Sequence, residues 1–170
     1  LTGCVSTIRV YSDQASQAPG LATYQTFAVL AVDPLKQNPS AKVSPIDLQR
    51  IADWTTAALE EKGFRLAAPE TAELLIATHL TVEQRLEVRD FGYTRGRLRD
   101  PLAYPLAPPV EIDQFDEGTV VVDIIENATK RAIWRGWSTQ FVSIPVNREQ
   151  LRATVFAIIE QIPTAAPAAE

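Results

Sequence analysis

A chain of 170 residues is sized for one domain and can bury a core without covalent staples. With 46% hydrophobic and 22% charged residues it is neither wholly disordered nor collagenous, and a single Cys excludes a disulfide framework. The net charge of −5 argues against binding nucleic acid through a basic surface, and one His beside one Cys excludes most metal clusters.

No apolar run reaches the roughly 18 residues that a membrane-spanning helix needs. The chain contains no Met, so its opening is not a translation start, and an upstream segment is expected. Leu1-Thr2-Gly3-Cys4 has the pattern of a bacterial lipobox. Small residues before the Cys let a signal peptidase close on extended backbone, and the thiol is the nucleophile that accepts a diacylglyceryl chain as a thioether. Lipid on Cys4 would convert a soluble domain into an anchored one, stably so with more than one acyl chain. Val5, where inner-membrane lipoproteins of enteric bacteria often carry Asp, favours the periplasmic face of the outer membrane. The bland alternative is a free Cys beside a chain boundary.

Val5 to Tyr11 alternates as a short strand, and Asp13 to Gly20 reads as a polar loop. Tyr24 to Val32, rich in aromatic and branched residues, is a second strand. The clearest helix follows. Ser44 caps it, Pro45 suits its first turn, and Leu48, Ile51, Ala52, Thr55, Ala58 and Leu59 form one stripe before Gly63 stops it. Phe64 to Leu66 can begin another strand. Glu73 to Arg89 is the longest strand, with Leu74, Ile76, Thr78, Leu80 and Val82 on one face and His79, Thr81, Glu83 and Glu87 on the other.

Phe91 to Gly118 reads as a long loop, interrupted by Pro101, Pro105, Pro108 and Pro109. Tyr93, Arg95, Arg97, Arg99 and Tyr104 make it the candidate interaction surface, facing lipid headgroups or an acidic protein partner, against the alternative of a solvated loop. Thr119 to Ile125 and Arg131 to Val142 form a hairpin in which Asp123 faces Arg135 if the register allows. Asn147, with Gln150 three residues on, caps a last helix carrying Leu151, Val155, Ile158, Ile159 and Ile162. Pro163 stops it, and residues 164–170 read as a disordered Ala/Pro tail.

Several of these segments carry a resemblance. Tyr24-Gln25-Thr26-Phe27, the strand Ala72 to Leu80, and the hairpin segments Glu117 to Asp123 and Thr129 to Gly136 together resemble the bacterial lipoprotein family of unknown function numbered 4136. The likeness covers about residues 4–162, and the hairpin is its most specific part. It implies a lipid-anchored envelope protein with an α+β domain, and it implies no activity and no catalytic residues. This chain departs from the family in its long connection, which is rich in Pro and Arg rather than Gly and Tyr.

The remaining chemistry is sparse. His79 is the only candidate base for a triad, and no nucleophile elbow, phosphate loop or dinucleotide fingerprint accompanies it. The carboxylates Glu83 and Glu87 on one strand face, and Glu111, Asp113, Asp116 and Glu117 at the end of the long loop, leave a carboxylate-based periplasmic hydrolase as the alternative function. Trp134 and Trp137 flank Gly136 with an offset that puts them on opposite strand faces.

The sequence therefore predicts residues 1–4 as a lipobox remnant, 5–163 as one α+β domain and 164–170 as a tail. The domain is a mainly antiparallel sheet of about five or six strands with two helices on one face, mixed if the first crossover pairs in parallel. The expected role is a non-enzymatic binding, scaffold or accessory protein with no cofactor and no metal. Its expected partners are the membrane, through the lipid, and another envelope protein; its oligomeric state is left open.

Overall fold

The computed structural model describes residues 7–12, 20–31, 43–89, 111–142 and 146–167, with backbone alone for 84–89, 111–115 and 141–142. Six strands form one sheet: β1 (Ile8–Ser12), β2 (Thr26–Val29), β3 (Arg65–Leu66), β4 (Leu74–Arg89), β5 (Glu111–Glu126) and β6 (Arg131–Val142). Two helices, α1 (Pro45–Glu61) and α2 (Arg148–Glu160), complete the domain. The strand order is β1-β6-β5-β4-β2-β3. β1, β6, β5 and β4 pair antiparallel in series, whereas β2 pairs parallel with both β3 and β4. The sheet is mixed because α1 carries the chain from β2 to a parallel neighbour, as a strand–helix–strand crossover requires.

Both helices form where their caps predict. The Ser44 hydroxyl accepts from the Ile46 amide at 3.2 Å, and Gly63 takes φ +88° just past α1. The Asn147 side chain accepts from the Glu149 and Gln150 amides at 3.0 and 3.2 Å. α1 buries Leu48, Ile51, Thr55, Ala58 and Leu59; α2 buries Leu151, Thr154, Val155, Ile158 and Ile159. These stripes meet Phe27, Leu74, Ile76, Leu80, Val120, Val122, Ile124 and Trp134 in one core on the helix side of the sheet. Lys62 ties the helices together by donating to the Glu160 and Ile162 carbonyls at the end of α2, at 3.2 and 2.6 Å.

One sequence expectation meets a different outcome. Glu111 to Gly118, read as loop, belongs to β5, which pairs with β4 as far as Arg89 opposite Glu111. Backbone pairing in a long hairpin extends the strand through a segment whose side chains carry no alternating apolar signal. Within the tail, Ala165 donates its amide to the Lys62 carbonyl at 3.0 Å and Ala166 to the Ala22 carbonyl at 2.7 Å, while 168–170 lie outside the described residues.

The molecule has two distinct ends. At one lies the β5–β6 turn, residues 127–130, beside the start of β2. Toward the other, among the described residues β6 pairs with β5 as far as Val142 opposite Asp116, and β4 and β5 continue as a two-stranded ribbon to Arg89 opposite Glu111. The register of β1, Ile8 opposite Ser138 and Ser12 opposite Trp134, points its N-terminal end toward the ribbon.

Candidate functional site

The turn end is built by residues far apart in sequence. Tyr24 precedes β2 and donates its hydroxyl to Glu126 Oε1 at 2.6 Å; Thr129 donates to Glu126 Oε2 at 2.5 Å. Burial, then the hydrogen bond to Glu126 and the charges of Glu126 and Glu73, push the Tyr24 phenol up to about 12. Glu126 is held below the ordinary carboxylate value by the hydrogen bonds from Thr129 and Tyr24.

Glu73 has the matching role on the neighbouring strand. Its Oε2 accepts from the Gln25 amide at 2.7 Å, the Thr26 amide at 2.9 Å and the Thr26 hydroxyl at 3.1 Å. The Gln25 bond is the largest cause of its lowered pKa. The Glu73 amide donates back to the Thr26 hydroxyl at 3.1 Å. Asn127 donates its side-chain amide to the Pro69 and Ala72 carbonyls at 3.0 and 2.6 Å, and Lys130, in the left-handed region at φ 57°, donates to Asn127 Oδ1.

Tyr24, Glu70, Glu73, Glu126, Asn127 and Lys130 line a shallow cleft of about 550 Å³. Its chemistry is that of a clamp. Glu73 and Glu126 are biased toward the ionised form and the phenol toward the neutral one, and all three take part in the hydrogen bonds that join the start of β2 to β4 and to the β5–β6 turn. The motif residues Tyr24 and Thr26 thus have a physical role: they lock the start of β2 to β4 and to the β5–β6 turn. Their acidic partners, Glu126 and Glu73, were not legible as a site, since only the Tyr-x-Thr spacing signalled one half of it.

The sheet face away from the helices carries the other candidates. Asp123, buried, accepts from Arg135 Nε at 2.5 Å and Nη2 at 2.9 Å, in the cross-strand pairing the sequence allowed. That contact raises the Arg135 pKa. His79 Nε2 lies 3.7 Å from Asp123 Oδ2, beyond hydrogen-bond reach, with 43% of its side chain exposed. Thr81, Thr119 and Thr139 stand opposite one another across three strands, the last two joined hydroxyl to hydroxyl at 3.0 Å. Glu83 stands opposite Glu117.

Thr7, Arg9, Glu83, Glu117 and Trp137 line a second cleft of about 510 Å³ on this face. Trp134 points the other way, into the core, as the offset of the two indoles requires. A side chain at Gly136 would collide with the Trp134 ring and approach Ile158 Cγ2 to 2.8 Å.

The carboxylates read as a cluster at a loop end are instead strung along β5. Asp116 and Glu117 occupy adjacent strand positions and therefore opposite faces, while Asp113 stands opposite Glu87 in the register. Among the described residues no three His, Cys, Asp or Glu side chains are grouped to hold a metal. No helix among them is long and apolar enough to cross a membrane. Cys4, Tyr93, Arg95, Arg97, Arg99 and Tyr104 lie outside the described residues. The last five fall between Arg89 and Glu111, the ends of the ribbon strands.

Comparisons with known proteins agree on the fold. The PelC dodecamer from Paraburkholderia phytofirmans is similar at 13% identity and TM-score 0.50, over 95% of this chain and 100% of that one. A variant of that dodecamer in another crystal form matches at 14% identity and TM-score 0.52, over 96% and 100% of the two chains. A crystal structure from Bacteroides thetaiotaomicron, named as a DUF4136 family protein, is similar at 17% identity and TM-score 0.55, over 94% and 96% of the two chains. No curated protein matches. The family model described as "Domain of unknown function (DUF4136)" matches residues 10–164, and this chain belongs to that family.

Proposed function

We propose that this protein is a lipid-anchored component of the bacterial cell envelope, held through Cys4 at the periplasmic face of the outer membrane, that acts by binding and assembly rather than catalysis. The observation that carries the reading is directional. The N-terminal end of β1 and the far end of the β4–β5 ribbon point the same way, so Ile8, the first residue of β1, and the strand ends Arg89 and Glu111 lie toward one end of the sheet. Thr7 stands only three residues after Cys4, an extended reach of about 10 Å, which would keep the domain against the headgroups. Arginines near an anionic surface contribute about 1 kcal/mol each, and Tyr93 and Tyr104 suit the interface.

The lipobox pattern at Leu1-Thr2-Gly3-Cys4 supports the anchor, and Val5 supports the outer membrane. The dodecameric state in the names of two structures of this fold supports an assembling role. The test is partition: with its native signal the protein should enter the detergent phase, and Cys4→Ser should release it to the soluble periplasm. A Cys4→Ser protein still bound to membranes would end the reading.

A further inference from the structure

Tyr24 is held through its flanking residues as well as at its hydroxyl. The 3-10 turn at Leu21–Thr23 that precedes it keeps all three of its side chains at least partly exposed. Among the described residues, the hydrogen bond that joins residues 20–23 to the rest of the domain runs from the Ala166 amide to the Ala22 carbonyl, at 2.7 Å. On the other side of Tyr24, Gln25 Nε2 donates to the Ala166 carbonyl, also at 2.7 Å. One alanine of the C-terminal segment therefore grips the chain both before and after the tyrosine. Tyr24 itself is buried, and its phenol crosses to Glu126 on another strand.

The grip is light. Ile162 is buried in the core, whereas Pro163, Thr164, Ala166 and Pro167 are exposed and Ala165 is half-buried. Ala165 adds its amide bond to the Lys62 carbonyl, at 3.0 Å, and a methyl group beside Gly63. Hydrogen bonds to main-chain groups thus fasten residues 163–167, with little apolar area beneath them. A segment held in that way opens at a lower free energy than the core it rests on.

We propose that residues 163–167 are a latch: docked, Ala166 holds Tyr24 in place to close on Glu126, and released, it frees the phenol from the β5–β6 turn. Opening strips Glu126 of one of its two hydroxyl donors and removes the Tyr24 wall of the cleft at the turn end. The C-terminal segment then sets the shape and the hydrogen bonding of that cleft. The inference concerns a site that the envelope role does not use, and it stands without the anchor.

The test begins with native-state hydrogen exchange on the full chain. The Ala165 and Ala166 amides, corrected for intrinsic rates, should exchange roughly a hundredfold faster than those of Ile76 and Val122 in the central strands. Two variants then read the coupling. Ala166→Pro removes the amide donor and keeps the carbonyl; a chain ending at Thr164 removes both. In each, once circular dichroism shows the native fold, the Tyr24 phenol is followed as the absorbance difference from the same protein carrying Tyr24→Phe. It should titrate toward the ordinary phenol value of about 10 rather than at about 12. Alanine amides as protected as those of Ile76 would make the segment part of the core and overturn the latch, as would folded variants whose phenol stays at about 12. Failure of both variants to fold would overturn it too, because a latch is dispensable to the core it closes on.

Discussion

Gly136 gives the sharpest test of the packing between β6 and α2. Its φ lies outside the left-handed region, so the glycine is there for space rather than backbone freedom. A Cβ at this position would run into the Trp134 ring and come within 2.8 Å of Ile158 Cγ2, and Ile158 is fully buried. Neither neighbour is the free end of a flexible chain. Inserting even one methyl group therefore overpacks the core, at a cost of about 1–3 kcal/mol for Gly136→Ala and more for Gly136→Val. In a domain of this size each kcal/mol lowers Tm by about 2–4 °C. Urea unfolding followed by tryptophan fluorescence reads the loss directly. Combining Gly136→Ala with Ile158→Ala should cost less than the sum of the two, since the second substitution makes room for the first; residues in contact couple by about 0.5–3 kcal/mol. An unchanged urea midpoint for Gly136→Ala, or strict additivity in the double variant, would refute the account.

The Asp123–Arg135 pair should respond asymmetrically. Arg135→Ala leaves a buried carboxylate without its bidentate partner and should cost about 2–3 kcal/mol, whereas Asp123→Ala frees a half-exposed guanidinium into water and should cost about 1 kcal/mol, both by urea denaturation. One of the four tyrosines, Tyr24, should titrate at about 12 in the folded protein, read by ultraviolet absorbance. Because its folded pKa is raised, its contribution to stability is complete below about pH 10 and is lost as pH rises toward 12; Tyr24→Phe should remove that loss. Glu73 has a lowered pKa, so its contribution is present above the ordinary carboxylate range, about pH 4.3, and disappears as pH falls below it; Glu73→Gln should flatten the acid limb of a thermal-stability profile. Replacing Arg95, Arg97 and Arg99 together with Ser in the Cys4→Ser protein should abolish salt-sensitive binding to anionic vesicles while leaving Tm unchanged, and a parent protein that binds no vesicles at low salt would remove headgroups as the target of this segment.

The regions of the fold that were legible are those whose signal is local. Ser44-Pro45 and Gly63 bracket α1 because caps and stops act within a turn, and the alternation of Leu74, Ile76, Thr78 and Leu80 displays the buried face of β4. The start of β5 is not legible, because Ile112 and Phe115 stand three positions apart, out of step with a strand's period of two, and the residues between them are polar. Its pairing with β4 spans a long connection that leaves no periodic trace. The mixed order of the sheet depends on which neighbour β2 accepts, a tertiary choice. At the turn end Tyr24 and Thr26 stood out as a motif, but Glu126 lies 102 residues from Tyr24, and nothing in either segment names the other. Ala165 and Ala166 are held by backbone amides, which any sequence carries, so their docking left no side-chain signal.

The anchor is tested most directly at its own atom. Mass spectrometry of the N-terminal peptide from protein isolated from native membranes should find Cys4 as the first residue, its sulfur carrying a diacylglyceryl group. A peptide that extends upstream of Cys4 and bears a free thiol would contradict the account.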